Sequence, residues 1–147
     1  MIDKEERHIG KMIKILSNLI RRKVDNGLSQ RGMELTSSQA RIISFVYRQT
    51  PIRNVYQRDI EMEFDIRRST VTNTLQLLEK SGYISRVSVD EDARLKKIML
   101  TEKGIGICEV IRESIFEVEG ALKNVYTTDE LNELFYLLDK LHAALEE

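Results

Sequence analysis

Apolar residues recur at helical spacing in six segments of this 147-residue chain, and the pattern predicts a mostly helical protein with one hairpin. Ile9, Ile13, Leu16 and Ile20 mark a first helix over 5–27, with Gly27 near its stop. Thr36-Ser-Ser-Gln39 is a capping box, in which hydroxyl and amide each accept from the other residue's backbone N–H. A second helix therefore starts after Thr36 and runs through ARIISFVYR. QTPIRN holds the only proline and reads as a loop; a short helix follows at 56–64. A turn at Asp65-Ile66 leads into a helix at 68–81 that buries Val71, Leu75 and Leu78, and Gly82 stands where a left-handed residue ends a helix. YISRVSV and KKIMLT are rich in β-branched residues and predict two strands. Thr101 caps a long helix over 102–124, striped with Ile107, Ile111, Ile115, Val118 and Leu122. Thr127-Thr-Asp-Glu130 is a second capping box, opening a helix that carries Leu131, Leu134, Leu138, Leu141 and Leu145. A further short strand or helix is expected near 30–35.

Two short helices joined by a tight turn, directly before a hairpin, make a winged helix-turn-helix. The expected fold class is mainly α with a small β-hairpin wing: a winged helix-turn-helix plus a helical dimerisation domain. Residues 1–30 and 102–147 would form the dimerisation domain, and 31–101 the DNA-binding domain. The terminal helices carry more apolar stripe than one small winged helix can cover, which suits a homodimer with two-fold symmetry.

In such a motif the second helix enters the major groove of double-stranded DNA. With Val71, Leu75 and Leu78 turned inward at about 100° per residue, Ser69, Asn73, Gln76 and Lys80 face outward. Thr70 and Thr72 lie on the shoulders. This face is rich in hydroxyls and amides and has no carboxylate before Glu79. Asn and Gln pair bidentately with adenine, while Ser and Thr reach bases or phosphates. The plain alternative is a polar helix that only meets water. Leu77 fits neither picture, because it points partly outward.

Charge sharpens the choice. The net charge is −1, which by itself argues against nucleic acid. Yet residues 1–66 carry 12 Lys and Arg against 9 Asp and Glu, residues 67–103 carry 8 against 5, and residues 104–147 carry 3 against 10. A basic front and an acidic back hide in that total, and a phosphate backbone responds to the local field. Between the strands, SVDEDARLKK sets Asp90, Glu91 and Asp92 just before Arg94, Lys96 and Lys97. A solvated loop tip is the bland reading of that cluster.

The run RRSTVTNTLQLLEKSGYISRVSVDEDARLKKIMLTEKG resembles the central signature of the MarR family of winged-helix transcription factors. It carries STVT in the recognition helix, LEKSGYISR leading into the wing, D-x-D-x-R at its tip and LTEKG opening the next helix. Upstream, Leu35-Thr-Ser-Ser-Gln39 is similar to the family's LT-x-x-Q. The resemblance implies a homodimer on a palindromic DNA site, usually a repressor released by a small molecule or oxidant. It also implies a role for the charged loop: Arg94 reaches the minor groove and Asp92 holds it. A carboxylate that fixes the rotamer of a long cation lowers the entropy cost of binding, and a narrow minor groove attracts the cation. Lys96 and Lys97 are placed for phosphates, as are Arg67, near the recognition helix N-cap, and Arg68 beside it. Ala93 stands where many relatives carry a second arginine, and Glu61 where a small residue often packs.

Other functions find little support. A lone Cys108 cannot form an internal disulfide and suits the cytoplasm. It lies on an apolar stripe, where a cysteine is usually a small hydrophobe. His8 and His142 are far apart and make no zinc pair. No Gly-rich phosphate loop and no nucleophile with a neighbouring base suggest an enzyme. No cofactor and no membrane span are expected, and the effector is unknown. The rival reading is a winged-helix protein-interaction module without DNA binding.

Overall fold

A computed structural model describes residues 7–89 and 92–146, with only the backbone described at 92 and 93. Its elements are α1 (Ile9–Gln30), α2 (Ser37–Gln49), α3 (Gln57–Phe64), α4 (Arg68–Lys80), β1 (Ile84–Val89), β2 (Asp92–Leu100), α5 (Glu102–Gly106), α6 (Cys108–Lys123) and α7 (Thr128–Leu145). The expected class, mainly α with a hairpin wing, is what the chain adopts.

Capping chemistry sets the helix starts as expected. The Thr36 hydroxyl accepts from Gln39 N–H at 3.2 Å, and the Gln39 amide oxygen accepts from Thr36 N–H at 3.0 Å. A second acceptor serves the same end: Asp25 of α1 takes the Ser37 N–H at 2.6 Å, tying α1 to the start of α2. Thr127 and Glu130 repeat the reciprocal pair at α7, at 3.2 and 2.9 Å.

Two boundaries differ from expectation. The first helix runs through Gly27 to Gln30. Its stop is Gly32, whose φ of +76° lets Gly32 N–H and Met33 N–H reach the carbonyls of Ser29 and Leu28. The helix expected over 102–124 breaks at Ile107 into α5 and α6. Gly104 and Gly106 weaken helix propensity there. No further strand or helix forms between α1 and α2. The additional strand-like residue is instead Val55, which bridges Ile98 on the outer side of β2, with Ile98 N–H donating to Val55 O at 2.7 Å.

The chain divides into two compact units, one up to Ser114 and one from Ile115. In the first, Leu28, Ile42, Ile43, Val46, Ile60, Val71, Leu75, Leu78, Ile84, Ile98 and Ile111 are almost fully buried. They come from α1 to α4, both strands and α6, so one core holds the helix-turn-helix and the wing root together. In the second, α7 buries none of its residues.

The end of α4 shows how tightly the parts meet. Gly82, at φ +82°, closes the helix with Gly82 N–H on Glu79 O and Tyr83 N–H on Leu78 O. The Thr101 hydroxyl then donates to Gly82 O at 2.5 Å and accepts from Gly104 N–H at 3.1 Å. Lys103 donates to Ser81 O at 2.6 Å and lies 4.3 Å from the Tyr83 ring centroid. Gly104 is buried, and a Cβ there would overlap the Tyr83 carbonyl oxygen. The glycine of LTEKG is thus a requirement of close approach.

Gly104→Ala should therefore lower the unfolding free energy by about 1–3 kcal/mol, the usual range for overpacking. Gly106→Ala, where an added methyl meets nothing within 4 Å, should be neutral or mildly stabilising. Paired urea titrations of the two variants check the contrast.

Candidate nucleic-acid interface

The turn between α3 and α4 presents the recognition helix. Asp65 ends α3 in the left-handed region (φ 49°), a conformation that aspartate tolerates better than most residues. Ile66 N–H then caps Glu61 O at 3.1 Å. Arg67 is the N-cap of α4 and makes no side-chain cap bond, as its chemistry requires, since a guanidinium has no acceptor. Val71, Leu75 and Leu78 face inward with at most 1% exposure. Arg67, Arg68, Ser69, Thr70, Asn73 and Gln76 are all exposed.

Thr72 is half-buried and engaged. Gln57 Nε2 donates to its Oγ1 at 2.8 Å and to the Arg68 carbonyl at 3.4 Å. Gln57 therefore clamps the first turn of α4 onto α3, a role its isolated position in the sequence did not signal. Thr74 is also internally engaged, its hydroxyl donating to Thr70 O at 2.9 Å.

Beside α4 lies a groove of about 480 Å³. Arg58, Arg68, Arg86, Arg94 and Lys96 line it, with Glu61 as its carboxylate. The structure thus brings three expected residues, Arg68, Arg94 and Lys96, into one basic concavity. It adds Arg58 and Arg86, whose separation in sequence hid them. Lys97 is half-buried, whereas Arg94 and Lys96 are exposed. Strand pairing explains this alternation: Lys96 faces Ser88 and Lys97 faces Val87, and the register shifts between Ser88 and Val89. Asp92 opens β2, but its side chain and residues 90 and 91 lie outside the described residues.

Next to the groove-lining Tyr56, Asp59 secures the start of α3. Its carboxylate accepts from Tyr56 N–H at 2.8 Å and from Arg53 Nη1 at 2.9 Å. Burial alone would raise its pKa. The Tyr56 and Arg53 hydrogen bonds, helped by the charges of Arg53 and Arg58, outweigh burial and hold the carboxyl below the usual range.

Among the described residues no three His, Cys, Asp or Glu side chains gather to hold a metal, and no helix is long and apolar enough to cross a membrane. The Cys108 thiol is buried and donates to Gly104 O at 3.2 Å, and burial pushes its pKa up. That is the environment of an inert thiol. Phe45 packs edge-to-face on Phe64, with ring centroids 5.8 Å apart, so it belongs to the core.

A family model described as MarR family matches residues 33–95, from the strand-free segment before α2 into the wing. The fold superposes on Staphylococcus aureus MepR, solved as a complex with DNA, at a TM-score of 0.87 and 26% identity. That match covers 95% of this chain and 99% of MepR. The chain is similar to the MarR family of regulators. Another similar MarR-family structure, from Oenococcus oeni, is 27% identical with a TM-score of 0.75, covering 92% of this chain and 99% of the other. The MarR fold is also shared with a cysteine-to-serine mutant of Escherichia coli MarR complexed with operator DNA, at a TM-score of 0.80 and 21% identity over 96% of this chain and 98% of that one. Among curated relatives, the HTH-type transcriptional regulator BilQ of Clostridioides difficile is 26% identical over 65% of this chain and 66% of its own length. PrsX of Escherichia coli, named likewise, is 31% identical over 56% of this chain and 49% of its own length. The chain thus spans about two thirds and about half of those two regulators.

Asp59 generates a prediction about pH. A carboxyl held below its ordinary pKa contributes stability that is fully present above the unfolded value and is lost as pH falls through the folded one. Asp59→Asn should destabilise the protein at neutral pH, and the two unfolding curves should converge as pH drops below the usual aspartate range. Urea unfolding at a series of pH values measures this.

Proposed function

We propose that the chain is a homodimeric, sequence-specific regulator of transcription that binds double-stranded DNA at a palindromic operator, acts as a repressor in the cytoplasm, and is released by an effector. One observation carries the DNA reading: the exposed outer face of α4 has no carboxylate before Glu79 and stands beside a groove lined by Arg58, Arg68, Arg86, Arg94 and Lys96. A helix that presents amides and hydroxyls next to clustered cations matches what base edges and phosphates require. MepR and the E. coli MarR mutant, similar in fold, are solved with DNA.

In this reading residues 31–101 dock on DNA. Asn73, at the centre of the outer face, discriminates a base, with Gln76, Ser69 and Thr70 around it. Thr72 supports the helix through Gln57 and contacts the backbone. Arg67, Arg68 and Lys96 hold phosphates, and Arg94, positioned by Asp92, enters the minor groove. Residues 1–30 and 102–147 dimerise. Apolar residues left exposed support this: Ile9, Ile13, Leu16 and Leu19 along α1, and Phe135, Tyr136, Leu137 and Leu138 on α7. Stripes of that size call for a cover, and a second copy places two recognition helices about one DNA turn apart. The chain has no catalytic role in this account.

The test is binding of the purified chain to duplex DNA at two salt concentrations. Binding whose logarithm falls linearly with the logarithm of salt supports the proposal. Absence of salt-sensitive duplex binding would favour a protein-interaction module instead. On the selected operator, Asn73→Ala should lose about 1–3 kcal/mol of discrimination at one base pair per half-site. An equal fall on specific and random DNA would make Asn73 a backbone contact. Arg94→Ala should reduce the salt slope by about one ion per wing, and adding Asp92→Ala should change little further, whereas strict additivity would separate the two residues. Deleting 126–147 should give monomer or aggregate, and a soluble, operator-binding dimer would refute the dimer assignment.

A further inference from the structure

Glu79 is the first carboxylate on the recognition helix, and two simple effects disfavour it there. It lies in the last turn of α4, where the partial negative charge of the helix C-terminus repels an anion. It also borders the face offered to polyanionic DNA. Its surroundings supply a compensating interaction. Arg86, on β1, donates from Nη2 to Glu79 Oε1 at 3.2 Å and from Nε to Oε2 at 3.3 Å, a side-on bidentate pair. The side chains are 25% and 41% exposed respectively, so the bridge is neither buried nor freely solvated. The Arg86 hydrogen bond, with some help from Lys96, pulls the Glu79 carboxyl below its ordinary pKa, which keeps it charged.

The other end of the bridge is equally well placed. Arg86 pairs across the hairpin with Ile98, which is buried and bridged on its far side to Val55. Arg86 therefore stands at the rigid root of the wing, and it lines the basic groove with Arg94 and Lys96 of the same hairpin. A planar bidentate contact fixes angle as well as distance, so this pair sets where the wing stands relative to the recognition helix.

We propose that Glu79, acting through Arg86, is a positioning residue for DNA recognition: the bridge holds the wing and the outer face of α4 in the spacing that lets both engage one DNA site. This rests on the DNA-binding reading above. It carries an unusual sign. Removing a carboxylate near phosphate normally strengthens binding; removing this one should weaken binding to the operator while leaving electrostatic attraction to random DNA the same or stronger.

The full-length protein is first used to select an enriched duplex from random-sequence DNA. Affinity of wild type, Glu79→Gln, Arg86→Ala and the double variant is then measured on that duplex and on a shuffled one, with the thermal midpoint of each protein. Glu79→Gln should weaken operator binding about fivefold per half-site, the upper range for an exposed pair. Binding to shuffled DNA should not weaken, and the thermal midpoint should hold. The double variant should match Arg86→Ala on the operator, because a residue that works only through Arg86 has no effect once Arg86 is gone. Operator binding by Glu79→Gln as tight as wild type or tighter overturns the inference. So does an equal loss on both duplexes accompanied by a lower midpoint, which marks a merely structural bridge. Failure to enrich any duplex would sink the DNA-binding reading itself, a result distinct from either of these.

Discussion

The turn that closes α4 is the constraint on which the DNA-facing part of this protein depends. Gly82 takes up a left-handed conformation that a Cβ would disfavour, and the chain reverses from helix to strand within three residues. Thr101, Lys103 and Gly104 then secure that turn from the far end of the hairpin: a hydroxyl on the Gly82 carbonyl, an ammonium on the Ser81 carbonyl, and a glycine against Tyr83. The start of the next helix is thereby locked to the end of the recognition helix. The wing between them has both its ends in one place, and its direction follows from that closure.

Charge is arranged on the same frame. The cations of the groove come from α3, α4 and both strands, and each is far in sequence from most of the others. Their mutual repulsion is tolerated because the groove is open to solvent, because Glu61 lines it and because Glu79 pairs with Arg86. Asp59 serves the start of α3, accepting from the Tyr56 amide and drawing Arg53 to it. Acidic residues concentrate in the last third of the chain, so the segment with a net charge of −7 is a poor neighbour for phosphate.

Much of this was legible in the amino-acid order because local chemistry decided it. Capping boxes at Thr36 and Thr127 need only residues three apart, and both form. Gly82 ends α4 for a reason intrinsic to glycine. The alternation of Val71, Leu75 and Leu78 follows from helical periodicity, and with it the outward setting of Ser69, Asn73 and Gln76. The charge segregation and the MarR-like run around the wing are likewise properties of the order alone.

What tertiary structure decided were the contacts between distant positions. Gln57 holds Thr72 across the helix-turn-helix, Arg86 reaches Glu79 from strand to helix, and Val55 extends the hairpin through Ile98. None has a spacing that marks it, since each depends on where two separate elements come to rest. The same holds for the first helix, whose stop moved from Gly27 to Gly32. Either glycine could end a helix, but Leu28 is completely buried and keeps the chain helical past Gly27. Local propensity names the candidates; burial of particular side chains in a shared core selects among them, because that energy exists only once the elements have packed.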